Sequence, residues 1–180
     1  MASTSLAVPK VLIPELKIKQ RIQDMATEIM FDHRGKELTV ICVLKGSFIF
    51  FADLIREIDL PMACEFMGVS SYGNKTTSSG EVKLTLDMTE PLNGKHVVIV
   101  EDIVDTGLTM QYLVNNLKQR KPASLKVCSL LVKPESLKCD IEIDYVGFKL
   151  GNEFVVGYGL DHAGKFRQLP YIGVVENEHH

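Results

Sequence analysis

His96-Val97-Val98-Ile99-Val100-Glu101-Asp102-Ile103-Val104-Asp105-Thr106-Gly107-Leu108-Thr109 is the stretch from which the rest of the chain is read. Val97, Val98, Ile99 and Val100 form an unbroken β-branched run, as suits a strand buried on both faces of a parallel sheet. Two carboxylates, Glu101 and Asp102, end that run. Past the turn, Met110, Leu113, Val114 and Leu117 recur at helical spacing, with Lys118, Arg120 and Lys121 near the end and Pro122 as a stop. The order strand, acidic loop, helix puts residues 105–109 at a helix N-terminus, where free backbone N–H groups and the positive dipole end attract phosphate. Gly107 lets the backbone come close, and the hydroxyls of Thr106 and Thr109 add donors. Glu101 and Asp102 carry acceptor-only side chains that hold sugar hydroxyls or a hydrated Mg²⁺, so the loop implies a sugar phosphate. No G-x-x-x-x-G-K-[ST] occurs, which argues against a nucleoside triphosphate. Taken singly, each acid reads as a solvated carboxylate on an ordinary loop. Two adjacent acids, a third, then Thr-Gly-x-Thr after an apolar strand do not.

The stretch 98–107 resembles the phosphoribosyl-pyrophosphate motif of the type I phosphoribosyltransferases, in detail that of their hypoxanthine-guanine branch. The similarity runs from about the first helix to Val175. It implies an α/β fold: a mostly parallel twisted sheet flanked by helices, one domain with a core over about 36–150 and a small hood from about 1–35 and 151–180. It also implies transfer of a phosphoribosyl group from phosphoribosyl pyrophosphate to a 6-oxopurine base, with Mg²⁺. Glu101 and Asp102 would hold the ribose hydroxyls, Asp105 would act as base, and residues 106–109 would bind the 5′-phosphate. Leu108 departs from relatives that carry lysine there, and backbone donors should preserve binding.

The bulk properties agree with a small-molecule enzyme. At 180 residues and 46% hydrophobic, the chain has the size of one domain with a proper core. A formal net charge of −3 supplies no basic field for nucleic acid. No apolar run reaches membrane-spanning length and residues 1–10 lack the features of a signal peptide, so a soluble, cytoplasmic protein with no membrane partner is expected. Cys42, Cys64, Cys128 and Cys139 show no C-x-x-C spacing and read as reduced thiols, Cys42 and Cys128 buried.

Along the chain, residues 1–13 show no periodicity and should be loosely held or only locally docked. After Pro14, Ile18, Ile22, Met25 and Ile29 share one helical face, ending before Gly35. Residues 39–44 read as a buried strand, and Lys45-Gly46-Ser47 turns it into a helix whose Phe48, Phe51, Ala52 and Ile55 should face the core, with Ser47 a candidate N-cap. On composition alone Lys45 and Gly46 are a solvated turn. The resemblance makes Leu44-Lys45-Gly46-Ser47 the pyrophosphate loop, in which the bond before the lysine can be cis.

Residues 63–71 and 81–87 read as strands around a small polar loop. Ser71 and Tyr72 match the start of the family's flexible lid, and closure there would exclude water. Residues 124–132 form another strand, ending at Lys133. Alone, Lys133 is a surface charge; in the family, the lysine here donates to the purine six-position oxygen and selects oxopurines. Residues 144–148 and 154–158 suggest two further strands. In the family's hood, the ring at Phe154 stacks on the base, Val155 reads its edge through the backbone, Asp161 faces a second metal site through water, and Arg167 meets pyrophosphate. The metal candidates are thus Glu101, Asp102 and Asp161. His162 reads as a surface turn residue. Relatives form dimers or tetramers, so a homodimer or homotetramer is expected. The alternatives are a phosphoribosyltransferase-fold regulator that binds RNA and senses nucleotides, and a transferase for xanthine, adenine or a pyrimidine.

Overall fold

A computed structural model of the chain describes residues 8–71 and 82–175. Its centre is the strand His96–Val104, designated β5 in the order β1 (Lys10–Ile13), α1 (Glu15–Asp32), β2 (Leu38–Leu44), α2 (Phe48–Arg56), β3 (Met62–Ser71), β4 (Val82–Leu86), β5, α3 (Leu108–Lys118), β6 (Ser124–Val132), a 3₁₀ turn (Pro134–Ser136), β7 (Tyr145–Lys149), β8 (Val155–Val156) and β9 (Ile172–Val174). Six strands make one sheet in the order β4-β3-β2-β5-β6-β7. Every pairing in it is parallel except β3 with β4, which is antiparallel. Val97 to Val100 are fully buried, as a strand covered on both faces requires. Val98 and Val100 point to the layer of α1 and α2, Val97 and Ile99 to that of α3.

The first helix packs as its spacing predicts, with Ile18, Ile22, Met25 and Ile29 buried against β7 and α2. Truncating one of them, Ile22→Ala, should cost roughly 2–5 kcal/mol, read as a lowered denaturation midpoint. The face of α2 differs from expectation. Phe50, Phe51 and Leu54 are buried, whereas Phe48 is 45% exposed and Ala52 is also exposed. A run of Phe-Ile-Phe-Phe satisfies several helical faces, and the packing of α1, β2 and β5 against the helix chooses among them.

Three other expectations change. β5 does not end at Glu101 but carries both acids and runs to Val104, because β6 pairs with it that far, up to Val104↔Val132. Residues 10–13 are not loose: they form β1, antiparallel to β9, in a three-stranded sheet ordered β1-β9-β8. Only Ile13 of that strand is buried, so it has no alternation to read. The strand expected over 154–158 shrinks to Val155–Val156, since Gly157, Tyr158 and Gly159 all take positive φ (93°, 49° and 102°) and bend the chain away. Ser71 ends β3 opposite Val82, and Tyr72 of the expected lid lies outside the described residues. Among the described residues, no helix is long and apolar enough to cross a membrane.

At the opposite end of the sheet from the strand carboxyl ends, His33 is buried and its Nδ1 lies 2.9 Å from Ile29 O. Burial holds its imidazole below the usual histidine value. The neutral ring is therefore the folded form. Its contribution to stability is complete above about pH 6.5, where the unfolded chain's histidine is also neutral, and is lost as pH falls through the lowered folded value. Thermal melting between pH 7.5 and 5 should fall more steeply for the native chain than for His33→Gln.

Candidate active site

The strand order reverses direction between β2 and β5: β2 leads to β3 on one side, β5 to β6 and β7 on the other. Crevices of this kind open at the carboxyl ends of the strands. Pairing of β2 with β5 stops at Cys42↔Val100, so Glu101 to Val104 keep only β6 as a partner and leave one edge open to the crevice. Glu101 and Asp102 follow one another on that strand, and their carboxyl groups stay close enough to interact.

From β2 comes the loop Lys45-Gly46-Ser47, entered through a cis Leu44–Lys45 peptide. Lys45 is exposed. Gly46 lies against Asp102 so closely that an added Cβ would fall on Asp102 Oδ2. Ser47 sits at the N-cap position of α2 but makes no capping bond: its hydroxyl donates back to Val43 O and touches Cys42 Sγ at 3.3 Å. Because only glycine fits beside Asp102, Gly46→Ala should displace that carboxylate, seen as a shifted Asp102 side chain in a crystal structure of the variant.

From β5 comes residues 105–109. Gly107 is the N-cap of α3 with φ 80°, a left-handed conformation natural to glycine. The first intrahelical bond runs from Gln111 N–H to Gly107 O at 2.8 Å, so the N–H groups of Gly107, Leu108 and Thr109 precede it and face outward. A cleft of about 110 Å³ opens there, lined by Glu101, Asp105, Thr106, Gly107 and Thr109 among others. Leu108 is half-buried and begins the helix without lining it. Burial, and secondarily the charge of Asp102, holds the Glu101 carboxyl well above the usual carboxylate range. Its Oε1 accepts the Asp102 N–H at 3.0 Å, and Asp102 Oδ1 accepts the Ile103 N–H at 2.7 Å.

A second hollow of about 240 Å³ adjoins the first and is lined by Asp102, Asp105, Lys133, Phe154, Val155 and Asp161, with Ile103 and Leu160 as its apolar floor. Lys133 follows β6; it is only 8% exposed, and its N–H is held by Val104 O at 2.9 Å. Its Nζ reaches Asp105 Oδ2 at 3.3 Å. Phe154 is half-exposed and presents its ring to this hollow, with His162 packed edge-on at 5.3 Å. Val155 is buried at the start of β8. Asp161 is occupied on both oxygens, by Arg167 Nη2 at 2.7 Å and by the Gly164 N–H at 2.7 Å. Arg167 also donates to Gly159 O at 2.7 Å, and Gly159 itself is seated on Gly46 O.

The expected residues therefore gather into two adjoining groups, one around the α3 N-terminus and one around Lys133 and Phe154. Arg167 and Asp161 satisfy each other, and Lys45 and Leu108 line neither hollow. Sequence reasoning missed Ile103, Leu160 and the contact of His162 with Phe154. It also missed the Tyr158 hydroxyl donating to Asp53 of α2, which ties the turn at 157–160 to the helix after Lys45-Gly46-Ser47. Ile103 and Leu160 are apolar residues with no donor or charge to mark them, and the Tyr158–Asp53 bond joins segments distant in sequence.

A family model described as the phosphoribosyl transferase domain matches residues 13–163. The bifunctional protein TilS/HprT of Listeria monocytogenes (serotype 4b) is 46% identical over 95% of this chain, which spans only 26% of that longer protein. The hypoxanthine-guanine phosphoribosyltransferase of Bacillus subtilis is 46% identical, over 94% of both chains. Among solved structures, a hypoxanthine-guanine phosphoribosyltransferase from Bacillus anthracis superposes with a TM-score of 0.91 at 45% identity, covering 94% of this chain and 100% of that one. The fold is thus that of an established lineage, and the chain belongs to the phosphoribosyltransferase family, with the type I fold.

Proposed function

We propose that this chain transfers the phosphoribosyl group of phosphoribosyl pyrophosphate to hypoxanthine or guanine, forming IMP or GMP and pyrophosphate, as a purine salvage enzyme. The observation that carries this reading is that Ile103 and Asp105 line both hollows. A ribose spanning them, with its 5′-phosphate on residues 106–109, brings its anomeric carbon beside Asp105 and beside a base lying on Phe154.

In that arrangement a purine ring nitrogen bonds to the anomeric carbon as the carbon–oxygen bond to pyrophosphate breaks, the electron pair leaving with pyrophosphate. The nitrogen's proton goes to the Asp105 carboxylate. Glu101 and Asp102 hold the ribose hydroxyls, fixing the sugar as positive charge develops. Lys133 donates to the six-position oxygen, Phe154 stacks on the base, and the Val155 backbone reads its edge. Lys45, Gly46 and Arg167 receive the pyrophosphate end, Arg167 by exchanging Asp161 and Gly159 for it.

Mg²⁺ fits the donor set, because it binds through one or two carboxylates, retained water and substrate phosphate rather than an all-protein cage. Among the described residues no three acidic, histidine or cysteine side chains converge on one point. Glu101 and Asp102 nevertheless offer hard oxygens, and Asp161 does so once it releases Arg167 and the Gly164 N–H. When bound, Mg²⁺ would neutralise the pyrophosphate as it leaves.

The four cysteines are unpaired, in keeping with a reducing cytoplasmic setting. Exposed Phe48, Ala52 and Phe66 suit self-association as a dimer or tetramer, which sedimentation would report. Initial rates with hypoxanthine, guanine, xanthine, adenine and uracil test the reading. Turnover confined to oxopurines supports it, and preference for adenine or uracil would reassign Lys133 and Phe154.

A further inference from the structure

The phosphate loop does not hold its own shape. Thr106 O accepts the main-chain N–H of Lys138 at 2.9 Å and faces the thiol of Cys139, whose Sγ lies 3.8 Å away. The same segment fills the space behind Gly107: an added Cβ there would lie 2.8 Å from Cys139 Sγ, 3.2 Å from Leu137 Cδ2 and 3.2 Å from Ile141 Cγ2. Gly107 lines the phosphate cleft, and Leu137, Cys139 and Ile141 do not. They stand on its far side.

A trans peptide points its C=O and its N–H in opposite directions. Drawing the Thr106 carbonyl toward Lys138 therefore turns the N–H of the same peptide, that of Gly107, toward the cleft. We infer that residues 137–139 are a positioning element for phosphate, orienting the Thr106–Gly107 peptide so that the Gly107 N–H meets the 5′-phosphate. This rests on the phosphoribosyl reading above and adds to it a part played by a segment that touches no substrate.

The test deletes one donor. Leu137 has φ −60° and ψ 130°, a conformation that accepts a following proline, and the Lys138 side chain is exposed. Lys138→Pro thus removes the N–H, and Lys138→Ala is its matched comparison with the N–H kept. Dissociation constants for guanosine 5′-monophosphate and for guanosine are measured by calorimetry on native chain and variants. The expected result is monophosphate binding about tenfold weaker in Lys138→Pro than in Lys138→Ala, with guanosine changed by less than about twofold. Cys139→Ala, which loses the thiol behind Gly107, should weaken the monophosphate alone by about threefold, and it decides the matter if the proline variant fails to fold. Equal losses for monophosphate and nucleoside, or undiminished monophosphate binding in the folded variants, would overturn the inference alone. Equal affinity of the native chain for the two ligands would overturn the phosphate cradle itself and the inference with it.

Discussion

Asp105→Asn is expected to lose about 10²–10⁴ in kcat with hypoxanthine or guanine, the range by which a positioned general base accelerates proton transfer. The amide keeps the shape and one acceptor oxygen but takes up no proton. KM for phosphoribosyl pyrophosphate should change little, since in the proposed arrangement its phosphate would rest on main-chain N–H groups of residues 107–109. Unfolding does not account for such a loss. Asp105 is half-exposed and the asparagine oxygen still accepts from the buried Lys133 Nζ, so the melting temperature of the variant separates a stability effect from the loss of proton transfer. Near-normal turnover in a variant with an unchanged melting temperature would remove Asp105 from the proton transfer.

Lys133→Gln should carry the second-largest effect, and it falls on base choice. The ammonium is buried to 8% exposure with Asp105 as its partner, so an oxopurine oxygen arriving there gains a charge-assisted hydrogen bond of roughly 1.5–3 kcal/mol. Losing it should lower kcat/KM for hypoxanthine and guanine by about 10–100-fold. The glutamine amide both donates and accepts, so the ratio of adenine to hypoxanthine turnover should rise. An unchanged ratio would mean that the base is selected elsewhere, for instance by the backbone at Val155.

The acidic loop was readable because its chemistry and its fold use the same residues. A β-branched run, two acids and Thr-Gly-x-Thr announce a buried strand, a glycine turn and a helix N-terminus together, and β5 and α3 form as that pattern demands. β1 and β9 were not readable, because strands of four and three residues are too short to leave a period, β1 burying only Ile13 at the sheet edge and β9 lying between β1 and β8. Three positive-φ residues at 157–159 cut β8 short, and two of them are glycines whose contacts, with Tyr171 O and Gly46 O, come from other segments. Arg167 could be singled out by resemblance, but its engagement by Asp161 and Gly159 is a tertiary fact. So is the support of Thr106 by Lys138, thirty-two positions along the chain.

The most direct measurement of the central claim is product stoichiometry. The native chain is incubated with Mg²⁺, guanine and phosphoribosyl pyrophosphate labelled in the ribose, and GMP and pyrophosphate are quantified together. The expected result is label appearing in GMP in equal amount to the pyrophosphate released, with neither formed when guanine is omitted. Retention of phosphoribosyl pyrophosphate without consumption, or pyrophosphate release with no labelled nucleotide, would contradict it.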